Sequence, residues 1–386
     1  MSTTTDAGPA TIRLTEAELD PYVTHASTRL WLTGPGLPGD SGLFTFAGLR
    51  REGLRTVADS TGAPDRLAAD LRAQLVLGGL TGLDGDETQS LLLDGATGEV
   101  STVSFFHARP GLTDRAPLAP SLPTLVRFAT ATDELTRRRG QFASYAGRFG
   151  PTVVEDATRQ LLAVFEEDMG AEVPTFWKIA GLIRPLALVA GPGSEDGLAL
   201  DLPPRLLDQE FGRGKVMRFE DIDFPTTLTH EPTRRFLRET GLPDDGTLFC
   251  LDADMPLPTL AESCAGERAD SLPSRADHLI RLGHLVEDNS LVVDGETGAV
   301  LHWSEPDATL HPLNTDVSTL AFTLWLLHRE RTIDGALAHE LTHNHYAQVA
   351  MTMIQLLSAI DPAATTAAAD WHYWTKLFQD EESGVL

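Results

Sequence analysis

The chain repeats itself, and the repeat limits the possible folds more than composition does. Residues 11–32, TIRLTEAELDPYVTHASTRLWL, align without a gap to residues 216–237, VMRFEDIDFPTTLTHEPTRRFL. Thr24, His25, Thr28 and Arg29 stand where Thr229, His230, Thr233 and Arg234 stand in the second block. GLPGDSGLFTF (36–46) then pairs with GLPDDGTLFCL (241–251), and SLLLDGATGEV (90–100) with SLVVDGETGAV (290–300). Thr124-Leu125 pairs with Thr319-Leu320, and QLL at 160–162 with QLL at 355–357. Blocks kept in order, with loop-sized insertions between them, mark a duplicated domain. A unit of about 180 residues is a whole domain rather than a solenoid repeat. The boundaries fall at 10–187 for the first copy and 205–386 for the second. The Gly-, Pro- and acid-rich LVAGPGSEDGLALDLPP (188–204) reads as a linker between them.

Each copy reads alike. A short strand (12–14; 216–219) precedes a helix beginning near Thr28 or Thr233. GLP is then a turn, since Gly closes a helix and Pro prevents its resumption. A strand follows at LFTF or TLFCL. LLLDGATGEV and LVVDGETGAV read as hairpins with a D-G turn, Gly supplying a positive φ. Helices close each copy, those of the second at about 335–360 and 371–379. Strands grouped ahead of helices predict an α+β class, each copy a mixed or antiparallel sheet flanked by helices. Trp303, Trp371 and Trp374 are expected to close the core, because WHYWTKLF (371–378) has the spacing of a docked helix.

The net charge of −26 excludes direct binding of nucleic acid or of an acidic membrane, because the chain brings few cations to exchange for theirs. Cys250 and Cys264 form no CxxC, so they are expected to be two ordinary thiols in a reducing compartment. The first ten residues lack the basic start and apolar core of a signal peptide. The longest apolar stretch, around 317–327, is too short to cross a bilayer. A cytoplasmic protein is expected.

AHELTHNHY (338–346) contains His339, Glu340 and His343 in the H-E-x-x-H spacing of zinc hydrolases. On a helix, that spacing sets two imidazoles one turn apart beside a general base. The rest of such a site is missing. There is no Glu between residues 341 and 380, and Tyr346 and Val349 stand where a metzincin needs Gly and His. Only Asp361 and His372 remain as improvised third ligands. The first copy has Ser144 and Arg148 at the positions of the two histidines, so the fold does not need a metal there. The motif reads as a coincidence on the flank of a helix through 336–360, with no metal and no cofactor. A zinc hydrolase using His339, Glu340 and His343 stays as the alternative. His25 and His230, just ahead of their helices, read as caps or packing contacts.

LTHEPTRRFLRETGLPDDGTLFCLD (228–252), DNSLVVDGETGAVLHW (288–303), DVSTLAFTLWLLHR (316–329) and WHYWTKLFQDEESGVL (371–386) together resemble the SUKH superfamily of bacterial immunity proteins, closest to the fourth immunity family of that set. The first copy keeps the same blocks in diverged form. The resemblance implies two tandem SUKH-like domains, no enzymatic activity and no catalytic residues. It implies a cytoplasmic protein that binds a protein toxin of nuclease or nucleic-acid deaminase type. Charge supplies a mechanism. Residues 1–200 hold 25 acidic and 17 basic side chains, and residues 201–386 hold 31 and 13. An acidic surface can fill the basic groove that a nuclease needs for phosphates. The second copy is therefore expected to face the toxin, with Asp244, Asp245, Glu305, Asp307, Asp380, Glu381 and Glu382 as candidate contacts. A general protein-binding adaptor is the other alternative.

Overall fold

Three consecutive leucines, Leu91–Leu93, and the matching Leu291, Val292 and Val293 are all buried, so both faces of their strands are covered. That requirement organises the structure, a computed structural model that describes residues 11–39, 42–61, 64–83, 87–105, 113–169, 172–193, 197–244, 249–252, 256–264, 272–286, 289–337, 341–366 and 372–379. The chain forms two compact units. One comprises Met1–Ala146, Ala157–Arg184 and Glu340–Met351, the other Gly147–Asp156, Pro185–His339 and Thr352–Leu386.

The first half contains, in order, α1 (Glu16–Leu19), α2 (Ala26–Thr33), β1 (Phe44–Thr45), α3 (Ala47–Glu52), β2 (Arg55–Thr56), α4 (Ala69–Arg72), β3 (Leu75–Thr81), β4 (Glu87–Leu93), β5 (Val100–Phe105), β6 (Thr113–Ala119), α5 (Leu122–Thr136), α6 (Pro151–Met169) and α7 (Thr175–Ile183). Its sheet runs β1-β3-β4-β5-β6, with β2 also on β3, and every pairing is antiparallel. Val57, Leu67, Leu71, Leu92 and Val103 form the core on one face. Elsewhere in the core Trp177 packs against Phe44, Phe128 and Phe165, and its Nε1 donates to the Leu118 carbonyl at 2.8 Å.

The second half repeats the plan after a two-residue ladder of β7 (Gly191–Pro192) and β8 (Leu200–Asp201). It continues with α8 (Leu206–Glu210), β9 (Val216–Met217), α9 (Glu231–Glu239), β10 (Leu242–Pro243), β11 (Phe249–Leu251), α10 (Leu260–Ser263), β12 (Leu279–Leu285), β13 (Asn289–Asp294), β14 (Val300–Ser304), β15 (Thr309–Asn314), α11 (Val317–Leu337), α12 (His343–Ile360) and α13 (Tyr373–Gln379). The sheet is β11-β12-β13-β14-β15, again antiparallel throughout. Trp303 joins Leu260, Leu279 and Val292 in one core cluster, and Trp374 is buried with its Nε1 donating to Asn314 Oδ1 at 2.9 Å. Trp371 lies outside the described residues.

Four details differ from the sequence reading or sharpen it. The hairpin loops are longer than a D-G turn. Gly98 and Gly298 carry the positive φ, while Asp94 and Asp294 each accept two backbone N–H groups of their own loop. Gly95 and Gly295 are needed for a different reason: a Cβ there would meet the Tyr22 or Thr227 carbonyl oxygen at 2.1 or 2.3 Å. GLP is only partly a turn, because Gly241 ends α9 and Leu242–Pro243 pairs with β9. The 188–204 stretch is tied down locally, with Ala199 N–H donating to Asp316 Oδ2 (2.6 Å) and Leu200 N–H to Ser318 Oγ (3.0 Å). Finally, no single helix runs through 336–360: α11 ends at Leu337, Leu341 and Thr342 are not helical, and α12 starts at His343. Thr342 accounts for that start. Its carbonyl accepts from His345 and Tyr346 N–H, and its own N–H and hydroxyl meet His345 Nδ1 at 3.1 and 3.2 Å, so the His345 ring folds back over the first turn.

Candidate partner-binding surface

The repeated Thr-His blocks come first, because they are the most regular polar feature. His25 and His230 occupy the N-cap positions of α2 and α9, but neither side chain caps a backbone N–H. Each ring instead places Nδ1 beside the hydroxyl three residues on, Thr28 at 2.9 Å and Thr233 at 2.8 Å. The backbone N–H groups of Thr24 and His25 both donate to the Gly95 carbonyl, and those of Thr229 and His230 to Gly295. The block therefore clamps a helix start onto a hairpin loop. That is the packing role expected of it, by a bond network the sequence did not specify.

Of the acids named from sequence, Asp244, Glu305 and Asp307 lie among the described residues. Glu305 and Asp307 sit on the β14–β15 turn. Glu305 is half-buried and accepts from Ser290 Oγ at 3.3 Å, while exposed Asp307 accepts from Ser304 Oγ at 3.1 Å. Asp244 follows β10; its N–H donates to the Lys215 carbonyl, and its buried Oδ1 has no hydrogen-bond partner. Asp245, Asp380, Glu381 and Glu382 lie outside the described residues.

A feature that sequence reasoning missed is apolar. Among the described residues three large hydrophobic side chains are exposed: Tyr22 (39%), Leu30 (72%) and Ile222 (81%). All three fall in the α1–α2 segment or in its counterpart ahead of α9. Ile222 is flanked by exposed Glu220 and Asp221 and half-buried Asp223, and the first copy sets Glu16, Glu18 and Asp20 at the corresponding place. Arginines brace these acids from the following helix. Arg29 pairs with Asp20 at 2.6 Å and with Glu16, whereas Arg234 and Arg238 reach Asp221 at 3.3 and 2.8 Å. The sequence signal was EDIDF itself, an isoleucine set among acids between two phenylalanines that turn inward.

Of the zinc motif, His339 and Glu340 lie outside the described residues, and His343 opens α12. The continuous helix that would have set the two histidines one turn apart is absent. The improvised ligands are engaged elsewhere. Asp361, buried, accepts from Asn314 Nδ2 (3.0 Å), Thr315 N–H (3.0 Å) and Thr315 Oγ1 (2.7 Å). His372 is buried beside it. Burial holds its pKa down to about 4, against the opposing pull of backbone hydrogen bonds at Ala363 and Pro312 and of the Asp361 charge. On the neighbouring strands His302 stacks on His311 (centroids 5.1 Å apart) and packs near Tyr373; burial first, then His311 and His372, lowers its pKa to about 3. These are neutral core imidazoles.

Two stretches of the chain, residues 5–174 and 202–380, match the family described as SUKH-4 immunity protein. No curated protein and no solved structure matches the chain.

Proposed function

Because the chain belongs to the SUKH-4 immunity protein family, in two tandem copies, we propose that it neutralises a basic toxin of nuclease or nucleic-acid deaminase type by covering the toxin's substrate groove. The partner implied by the family is a protein toxin. That it acts on nucleic acid rests on charge: the chain carries −26, and the excess is larger in residues 201–386. A basic phosphate-binding groove attracts such a surface over a Debye length and is then blocked by it. The inhibitor acts in the cytoplasm by binding rather than by catalysis.

We assign the contact to the second copy, residues 205–386. The observation that carries this is Ile222, an exposed apolar side chain flanked by Glu220, Asp221 and Asp223. Interfaces draw most of their energy from a few apolar or arginine anchors, and the charged rim adds steering and specificity. Asp244, Glu305 and Asp307, with Asp245, Asp380, Glu381 and Glu382, are the further contacts in this proposal. The test is co-purification of the tagged chain from cells expressing the toxin candidates encoded beside it. One stoichiometric basic partner, lost on Ile222→Arg, is the expected result. A partner retained in full by Ile222→Arg would remove the assigned surface. The absence of any toxin partner would remove the reading.

A further inference from the structure

The two copies differ where the closing helices meet the sheet edge. In the second copy α12 stops at Ile360, because Pro362 cannot continue a helix. The chain then turns Asp361 into the end of β15, where Asn314 and Thr315 receive its carboxylate. The register of the preceding strand pair is the same in both copies, Ser101 opposite Pro117 and Leu301 opposite Pro312. Ala119 and Pro120 therefore occupy the places of Asn314 and Thr315. Neither offers a side-chain donor, and Pro120 has no N–H. No proline interrupts α6, which runs on to Met169. Beside Ala119 and Pro120 the first copy has an open cleft of about 410 Å³, with exposed Glu99, Arg115, Pro117 and Pro120 on its wall. Its apolar walls include Val100, Pro117, Ala119, Met169 and Pro174.

One cation lines this cavity. Arg115 is held from behind: its Nε donates to buried Ser101 Oγ at 3.0 Å and its Nη2 lies 3.5 Å from Gln74 Oε1. Gln74, only 5% exposed, donates in turn to Asp94 Oδ2 at 2.9 Å. The exposed guanidinium is thus positioned, and among the described residues Nη1 has no partner and no carboxylate pairs with it. A guanidinium edge matches a planar carboxylate in a bidentate pair. Glu99, also on the cavity wall, disfavours a second negative charge and hence a phosphate or dicarboxylate. The volume lies in the range of small-ligand sites.

We infer that the first copy binds a monocarboxylate with a short apolar body, its carboxylate on Arg115 and its apolar part against Met169 and Pro174. A free small acid and the C-terminus of a polypeptide share this chemistry. The inference is independent of toxin binding.

The test is a titration of the full chain, labelled at methionine methyls, followed by NMR. Met169 is assigned by its loss in Met169→Leu. Hexanoate is expected to shift the Met169 methyl saturably, and hexanamide is not. Arg115→Gln should weaken the hexanoate response at least tenfold while leaving the ligand-free Met169 signal in place, which shows that the fold is intact. Acetyl-Gly-Ser-Leu with a free C-terminus, compared with its amide, separates the sources. Tighter binding than hexanoate, lost on amidation, assigns a chain terminus, and weaker binding assigns a free acid. An equal response to hexanoate and hexanamide, no saturable shift with hexanoate, or an unchanged affinity in Arg115→Gln overturns the inference.

Discussion

Gly98 and Gly298 stand at φ of 83° and 78°, and a Cβ on either would meet the ring of His25 or His230 at 2.5 or 2.2 Å. Position and contact both forbid a side chain, so Gly98→Ala and Gly298→Ala should each cost about 1–3 kcal/mol. Gly214, with open space around it, is the control, and Gly214→Ala should change stability by less than about 0.5 kcal/mol. Urea midpoints at constant slope measure both. The buried imidazoles carry a pH prediction. His302 at about 3 and His372 at about 4 lie below the usual imidazole value, so between those values and roughly pH 6.5 the unfolded chain binds more protons than the folded one. Stability is then complete above roughly pH 6.5 and falls as pH drops, by up to about 1.4 kcal/mol per unit for each histidine. His302→Phe keeps a ring against His311 and Tyr373 and removes one titration. Its stability should fall less steeply between about pH 6 and 4 in denaturant melts at fixed temperature. A slope equal to that of the parent would mean that His302 titrates normally in the fold. At this scale the sequence showed which residues recur but not their bonds. His25 and Thr28 recur as a pair, yet only the folded backbone brings Gly98 beneath them.

Helices and hairpins were largely legible, because apolar spacing and Gly or Pro punctuation are local signals. The break ahead of α12 was not. Residues 336–360 contain no proline, and a helix through them satisfies periodicity; a new helix nevertheless starts at His343, with His345 Nδ1 accepting from the Thr342 N–H. His345→Ala, which removes the acceptor of the Thr342 N–H, should therefore cost about 1 kcal/mol, read as a lower melting temperature. The other end of α12 depends on a buried carboxylate. Asp361→Ala removes the acceptor of the Thr315 N–H and hydroxyl and one of the two acceptors of Asn314 Nδ2, and should cost about 3 kcal/mol. A loss below about 1 kcal/mol by thermal or urea unfolding would show that water replaces the carboxylate there.

The charge of the whole molecule sets how it meets a partner. With −26 overall, association with a basic toxin should slow steeply as salt rises, while dissociation changes little. Stopped-flow rates at about 50 and 500 mM salt, a range that shortens the Debye length about threefold, check this. A rate of association flat across that range would mean apolar contact without steering. The sequence by itself determined the duplication, the α+β class, the hairpin of each copy and the acidic excess, because order, periodicity and charge survive without coordinates. Tertiary structure alone decided which apolar side chains stay outside and where the copies part. Ile222 has the composition of a core residue, and only the turn of the chain between Phe219 and Phe224 leaves it in solvent. Arg115 reads as an ordinary strand arginine. It lines a cleft because the fold brings Met169 and Pro174 beside it, residues far along the chain that no local pattern connects.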